Sequence, residues 1–166
     1  LARLRGQAQE IRAYALSRLP ELLEQLEANC SRNGIEVHWA ETAEQANRIV
    51  LGILRQHEAS ELIKGKSMVS EEIGLNRFLA DRGIECVESD LGEFIIQLAG
   101  ETPFHIVAPA IHKDRQQVAA LFREKFPEIP YSEHIEELTA AARRILRRRF
   151  QRARVGLSGV NFAVAE

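Results

Sequence analysis

Lysine is scarce in this sequence, and it is clustered. The 166 residues hold 22 Lys plus Arg, and the only lysines are Lys64, Lys66, Lys113 and Lys125. Three of the four fall where strands are expected to end. Lys64, Gly65, Lys66, Ser67 and Ser70 follow the apolar pair Leu62-Ile63, and Pro109, His112 and Lys113 follow Phe104–Ala108. Ser89, Asp90 and Glu93 come after a third apolar run, and Glu166 stands at the end of a fourth. Open α/β sheets bind ligands beyond the carboxyl ends of their strands. A compact ammonium can contact phosphate or carboxylate, and it can lose its proton when desolvated. Lys64, Lys66, Ser67, Asp90 and Lys113 are therefore the expected substrate-binding residues. His112 adjoins Lys113 and is the acid–base candidate, because imidazole titrates near neutrality. Lys64, Lys66, Asp90, His112 and Lys113 are expected to share one cleft.

Other chemistries find less support. A phosphate-binding P-loop needs a glycine five residues before its second glycine, and that position is Ser60. No GxGxxG follows a strand, so there is no dinucleotide fingerprint. Gly156-Leu157-Ser158-Gly159 reads as a helix stop followed by close backbone packing. His38, His57, His105 and His134 are scattered and read as structural or exposed. No nucleophile elbow is visible. Cys30 and Cys86 lie far apart, form no CxxC, and cannot make a four-cysteine zinc or iron–sulfur site; no metal site is expected.

Arg143–Arg154 holds seven arginines and no acid. An acidic partner is one reading; cations at a helix C-terminus, with stems over apolar surface, is the stronger one. The net charge of −2 argues against nucleic acid. No stretch approaches the roughly 20 apolar residues of a membrane span. No signal peptide is visible, and the cytoplasm is the default location.

The elements that must position these groups alternate. Residues 1–34 read as a helical arm interrupted at Pro20 and stopped at Gly34. Strands are expected at Ile35–Ala40, Glu61–Lys64, Ile84–Glu88, Phe104–Ala108 and Val160–Ala165. Helices are expected to open at Thr42 with Gln45, at Ser70, at Leu91, at Asp114 with Gln117, and at Ser132. The Ser70 helix stops at Gly83 and the Ser132 helix at Gly156. This alternation predicts an α/β domain over 35–166: a mainly parallel, Rossmann-like sheet flanked by helices, preceded by the arm.

Four segments resemble the lactate utilization protein B family of LUD-domain iron–sulfur proteins. They are Lys64-Gly65-Lys66-Ser67-Met68-Val69-Ser70-Glu71-Glu72-Ile73, Glu88 to Leu98, His105 to Lys113 and Gly159 to Glu166. The resemblance implies a LUD domain related in fold to sugar-phosphate isomerases and CoA-transferases. It implies a part in oxidising L-lactate to pyruvate, with electrons passing through iron–sulfur centres. The implied partners are a cysteine-rich protein and a smaller LUD-domain protein, and self-association is also expected. On the family pattern the chain is expected to be an N-terminal piece, incomplete at its C-terminus. The cluster is expected in a further ferredoxin-like region, with no cofactor within these residues. The alternative readings are an acyl- or sugar-phosphate-handling enzyme, with Glu166 as nucleophile or base, and a non-catalytic scaffold.

Overall fold

The computed structural model describes residues 1–165. The chain divides into two compact units, one formed by Leu1–Ala40 with Val160–Glu166 and the other by Glu41–Gly159.

In the first unit, Ala2–Ser17 (α1) and Leu19–Arg32 (α2) are separate helices with Pro20 in the first turn of α2. Proline is suited to that position because the first amides of a helix have no acceptor. Neither helix buries a residue. The expected strand Ile35–Ala40 is not formed, and the segment has no regular secondary structure. The Ile35 N–H still closes on the Cys30 carbonyl at the end of α2, and the Trp39 indole donates to Glu27 at 3.0 Å. Val160–Ala165 is likewise no strand, and Phe162 is 95% exposed.

The second unit carries a three-stranded, wholly parallel sheet. Glu61–Lys64 (β1) lies between Glu85–Glu88 (β2) and Val155–Leu157 (β3). Strand side chains alternate between faces, and both faces are covered. Leu62 and Cys86 pack with Leu54 of Ala43–Gln56 (α3) and with Leu75 and Leu79 of Leu75–Ala80 (α5). Ile63 and Val87 pack with Phe94 of Leu91–Ala99 (α6) and Leu146 of Ile135–Arg152 (α8). Arg115–Lys125 (α7) adds Phe122 against Ile95, Ala141 and Ala142. The expected α/β class with a parallel sheet is the observed one.

Five local expectations are corrected. The segment Phe104–Ala108 is an exposed turn, with Phe104 71% and Val107 79% exposed. The His105 Nδ1 accepts the N–H groups of Val107 and Ala108, and Phe104 N–H reaches the Pro109 carbonyl. These local bonds take the donors that a ladder would need. Gly156 does not stop α8, which ends at Arg152; it lies in β3 opposite Ile63. The helix read from Ser70 is two helices, Met68–Glu72 (α4) and α5, because Gly74 adopts φ +64° between them. That left-handed conformation ends a helix and suits glycine. Ser67, not Ser70, caps α4, and the α8 N-cap is His134, whose N–H bonds to the Ser132 hydroxyl. The capping box at Asp114 and Gln117 is present.

Gly92 in the first turn of α6 is needed for space. A Cβ there would sit 2.9 Å from Pro109 Cγ and 3.2 Å from its Cδ. Alanine usually stabilises a helix relative to glycine by about 1 kcal/mol. At this position the clash should reverse the sign. Gly92→Ala is expected to lower stability by about 1–3 kcal/mol, read from a urea-unfolding midpoint.

Candidate functional site

The parallel register sets Lys64 and Glu88 side by side at the carboxyl ends of β1 and β2. Lys64 is 1% exposed, and its Nζ lies 2.6 Å from Glu88 Oε1 and 3.0 Å from Glu71 Oε1 of α4. Asn76 of α5 donates to the same Glu88 oxygen at 2.9 Å. Gln97 of α6 clamps the end of β2, accepting from the Glu88 N–H and donating to the Cys86 carbonyl. Glu88 Oε2 and Asn76 Oδ1 are buried without a hydrogen-bond partner. Burial by itself lowers the Lys64 ammonium pKa. The hydrogen bonds to Glu88 and Glu71 outweigh it and hold the value above that of an ordinary lysine. Lys64 is thus spent on an internal cluster of one ammonium and two carboxylates.

The other strand-end groups are also engaged. Ser67 accepts from Ser70 N–H as the α4 cap. Asp90 accepts from Gly92 N–H and Glu93 N–H as the α6 cap, at 3.1 and 3.2 Å. Ser89 donates its hydroxyl to the Lys64 carbonyl. Lys66 pairs with Glu93 at 2.6 Å, its side chain 31% exposed and that of Glu93 11%. Lys66 therefore has the most accessible ammonium at the end of β1.

His112 and Lys113 form a second group. Both hold Glu101, which follows the far end of α6; His112 Nε2 stands 2.8 Å from Glu101 Oε2, and Lys113 pairs with Oε1. Phe104 lies against the His112 ring at 5.3 Å between centroids. The hydrogen bond from Lys113, and then that from His112, hold the Glu101 carboxyl below the usual carboxylate range. Nine residues of α6 rise about 13 Å along the axis. The Asp90–Glu93 end and the Glu101 end are apart by most of that length. The structure thus brings Lys64, Lys66, Ser67 and Asp90 to the strand ends and sets His112 and Lys113 on Glu101. Glu166 lies outside the described residues.

The sequence alone does not pair each lysine with its carboxylate: Glu88 and Glu71 for Lys64, Glu93 for Lys66, Glu101 for Lys113. One signal was available. Lys64 and Glu88 each terminate an apolar run, and such residues become neighbours in a parallel sheet. The arginine run finds acids too. Arg149 bridges Glu61 and Glu85 at 2.6 and 2.7 Å, below the amino ends of β1 and β2.

An iron–sulfur cluster does not fit the described residues. Cys30 lies in α2 of the first unit and Cys86 in β2 of the second, and no group of three or more His, Cys, Asp or Glu is arranged for a metal among the described residues. Burial pushes the Cys86 thiol up to about 11, which leaves almost no thiolate at neutral pH. Ellman's reagent at pH 8 should react readily with Cys30 and reach Cys86 only after denaturation. Two equally fast thiols in the folded protein would contradict this placement. No helix among the described residues is long and apolar enough to cross a membrane.

A small parallel α/β sheet with its polar groups gathered at the strand ends defines the class. Residues 23–166 match the LUD domain family, and the chain belongs to it. It is 44% identical to Lactate utilization protein B of Bacillus velezensis over 98% of this chain and 34% of the relative. It is 47% identical to the protein of that name from Exiguobacterium, with the same coverage. It is 43% identical to the Uncharacterized electron transport protein YkgF of Escherichia coli, again over 98% and 34%. The chain spans about a third of the length of these relatives. No solved structure matches the chain.

Proposed function

We propose that this chain is part of a cytoplasmic iron–sulfur electron-transfer complex that oxidises L-lactate to pyruvate. The observation that carries the reading is the 44–47% identity, along almost the whole chain, to relatives named Lactate utilization protein B. The name of the Escherichia coli relative supports the electron-transfer part. The reaction removes two electrons and two protons from the 2-hydroxy acid. The cluster ligands belong to residues other than those described here, and the partners are a cysteine-rich subunit and a smaller LUD-domain subunit. Within this chain, Lys66 is the group suited to the lactate carboxylate. Its ammonium is partly exposed and its present partner, Glu93, is a carboxylate that a substrate carboxylate can replace. His112, its ring oriented by Glu101 at the other end of α6, serves proton transfer once the 101–113 segment closes on the Lys66 end as substrate binds.

The test is L-lactate-dependent reduction of an artificial electron acceptor by the full-length protein with its partners, together with growth on L-lactate of a strain lacking its gene. Loss of both activities in the absence of this protein is expected. Undiminished growth and turnover without it would overturn the reading. Acyl or phosphosugar turnover by the isolated protein would replace it with the transferase or isomerase alternative.

A further inference from the structure

The arginines of α8 and the chain beyond it sort into two sets. Arg149, Arg152 and Arg154 face acids: Glu61 and Glu85 for the first, Glu61 at 3.7 Å for the second, Glu58 at 3.0 Å for the third. Arg143, Arg144, Arg147 and Arg148 have no carboxylate within ion-pair distance among the described residues, and of these Arg143 and Arg147 line one groove. Both are exposed and stand one helical turn apart. With Ser89, Leu146, Phe150 and Gln151 they line an open groove of about 610 Å³. The groove pairs charge with an apolar surface: Phe150 is 57% exposed, and Leu146 beneath it belongs to the core.

The geometry points to this groove as a docking site for an acidic segment of a partner protein. The segment would place two carboxylates, one helical turn apart, on Arg143 and Arg147 and an apolar side chain on Phe150. Charge complementarity identifies the occupant. Guanidinium forks bind carboxylates in pairs, and arginine and aromatic side chains are the usual anchors of an interface. Nucleic acid fits less well, because it needs a long basic track. Here the unpaired stretch is short, 143–148, because Glu58, Glu61 and Glu85 neutralise Arg149, Arg152 and Arg154, and the chain as a whole carries −2. The inference is independent of the lactate reading, since it rests on the α8 surface alone.

The test uses the full chain and a fluorescein-labelled amphipathic peptide of glutamate and leucine, with glutamates one helical turn apart, followed by fluorescence anisotropy. An oligothymidine of similar charge is the competitor. Arg143→Gln and Arg147→Gln should each weaken peptide binding by about tenfold or more, the loss of one charge-assisted contact. Phe150→Ala should also weaken it. Arg148→Gln, at an exposed arginine outside the groove, should leave it unchanged. All four positions are exposed or half-exposed on one helix, and circular dichroism checks that the helix survives. No peptide binding, equal loss in Arg148→Gln, or preference for the oligothymidine would each overturn the proposal.

Discussion

Lys64→Met is expected to destabilise the second unit by about 3–5 kcal/mol, the usual cost of removing one partner from a buried ion pair. The Lys64 side chain is 1% exposed and that of Glu88 5%. Without the ammonium, Glu88 keeps only the Asn76 amide on one oxygen, and its other oxygen already has no partner. A buried carboxylate in that state has lost most of what replaced its hydration. The methionine stem fills much of the same volume, so the loss reads charge rather than a cavity. Adding Glu88→Gln removes the orphaned charge, and the double variant should recover much of the stability. Urea unfolding of the two single variants and the double variant gives the coupling energy directly. A single-variant loss below about 0.5 kcal/mol, the ordinary surface range, would sink the claim.

The same cluster fixes how stability responds to alkali. Lys64 has a folded-state pKa above its ordinary value, so the folded protein holds that proton more tightly than the unfolded chain does. Its contribution is fully present below the unfolded lysine value of about 10.4 and is lost as pH rises through the folded one. Cys86 acts in the same direction. Its thiol titrates at about 11 when folded, against about 8.5 in an unfolded chain. Stability should therefore begin to fall above about pH 8.5, as the unfolded thiol ionises, and fall more steeply above about pH 10. Cys86→Ala should remove the first phase and leave the second.

The central elements were legible because their signals are local. Leu62-Ile63 and Cys86-Val87 are apolar pairs that a parallel strand buries on both faces, and both appear as strands. Asp114 and Gln117 form the box their spacing implies. The failures follow from competition that periodicity does not record. Phe104–Ala108 is as apolar as β1, yet His105 captures two of its amides and the segment turns. Val155-Gly156-Leu157 is only three residues long and interrupted by glycine, so it gives almost no strand signal; the free edge of β1 is what makes it a strand. The site was legible as a set of cations but not as a set of ion pairs. Lysine scarcity pointed to Lys64, Lys66 and Lys113, and the acids that meet them come from α4, β2, α6 and the chain just after α6. Partnerships of that kind are created by register and by helix placement, which a linear reading does not contain.

Lys66→Met and His112→Asn are expected to reduce L-lactate-dependent electron transfer in different ways. Lys66 is half-buried against Glu93 at the end of β1. Methionine keeps the apolar stem and removes the charge, so the fold should survive. Loss of a charge-assisted contact to a carboxylate is worth roughly 1.5–3 kcal/mol, which is about a tenfold to hundredfold loss in kcat/KM. If the contact is made equally in ground and transition states, the loss falls on KM. His112→Asn keeps a polar group beside Glu101 but cannot take up a proton. Its effect should fall on kcat, at about a hundredfold or more for general acid–base catalysis. The two groups sit toward opposite ends of α6, so their effects should be additive unless α6 and the 101–113 segment move together when substrate binds. A loss in the double variant much smaller than the product of the two single losses would place both side chains on one substrate. Wild-type rates in both variants, measured in an intact complex, would remove these residues from the chemistry and leave the domain as a scaffold for the subunits that perform it.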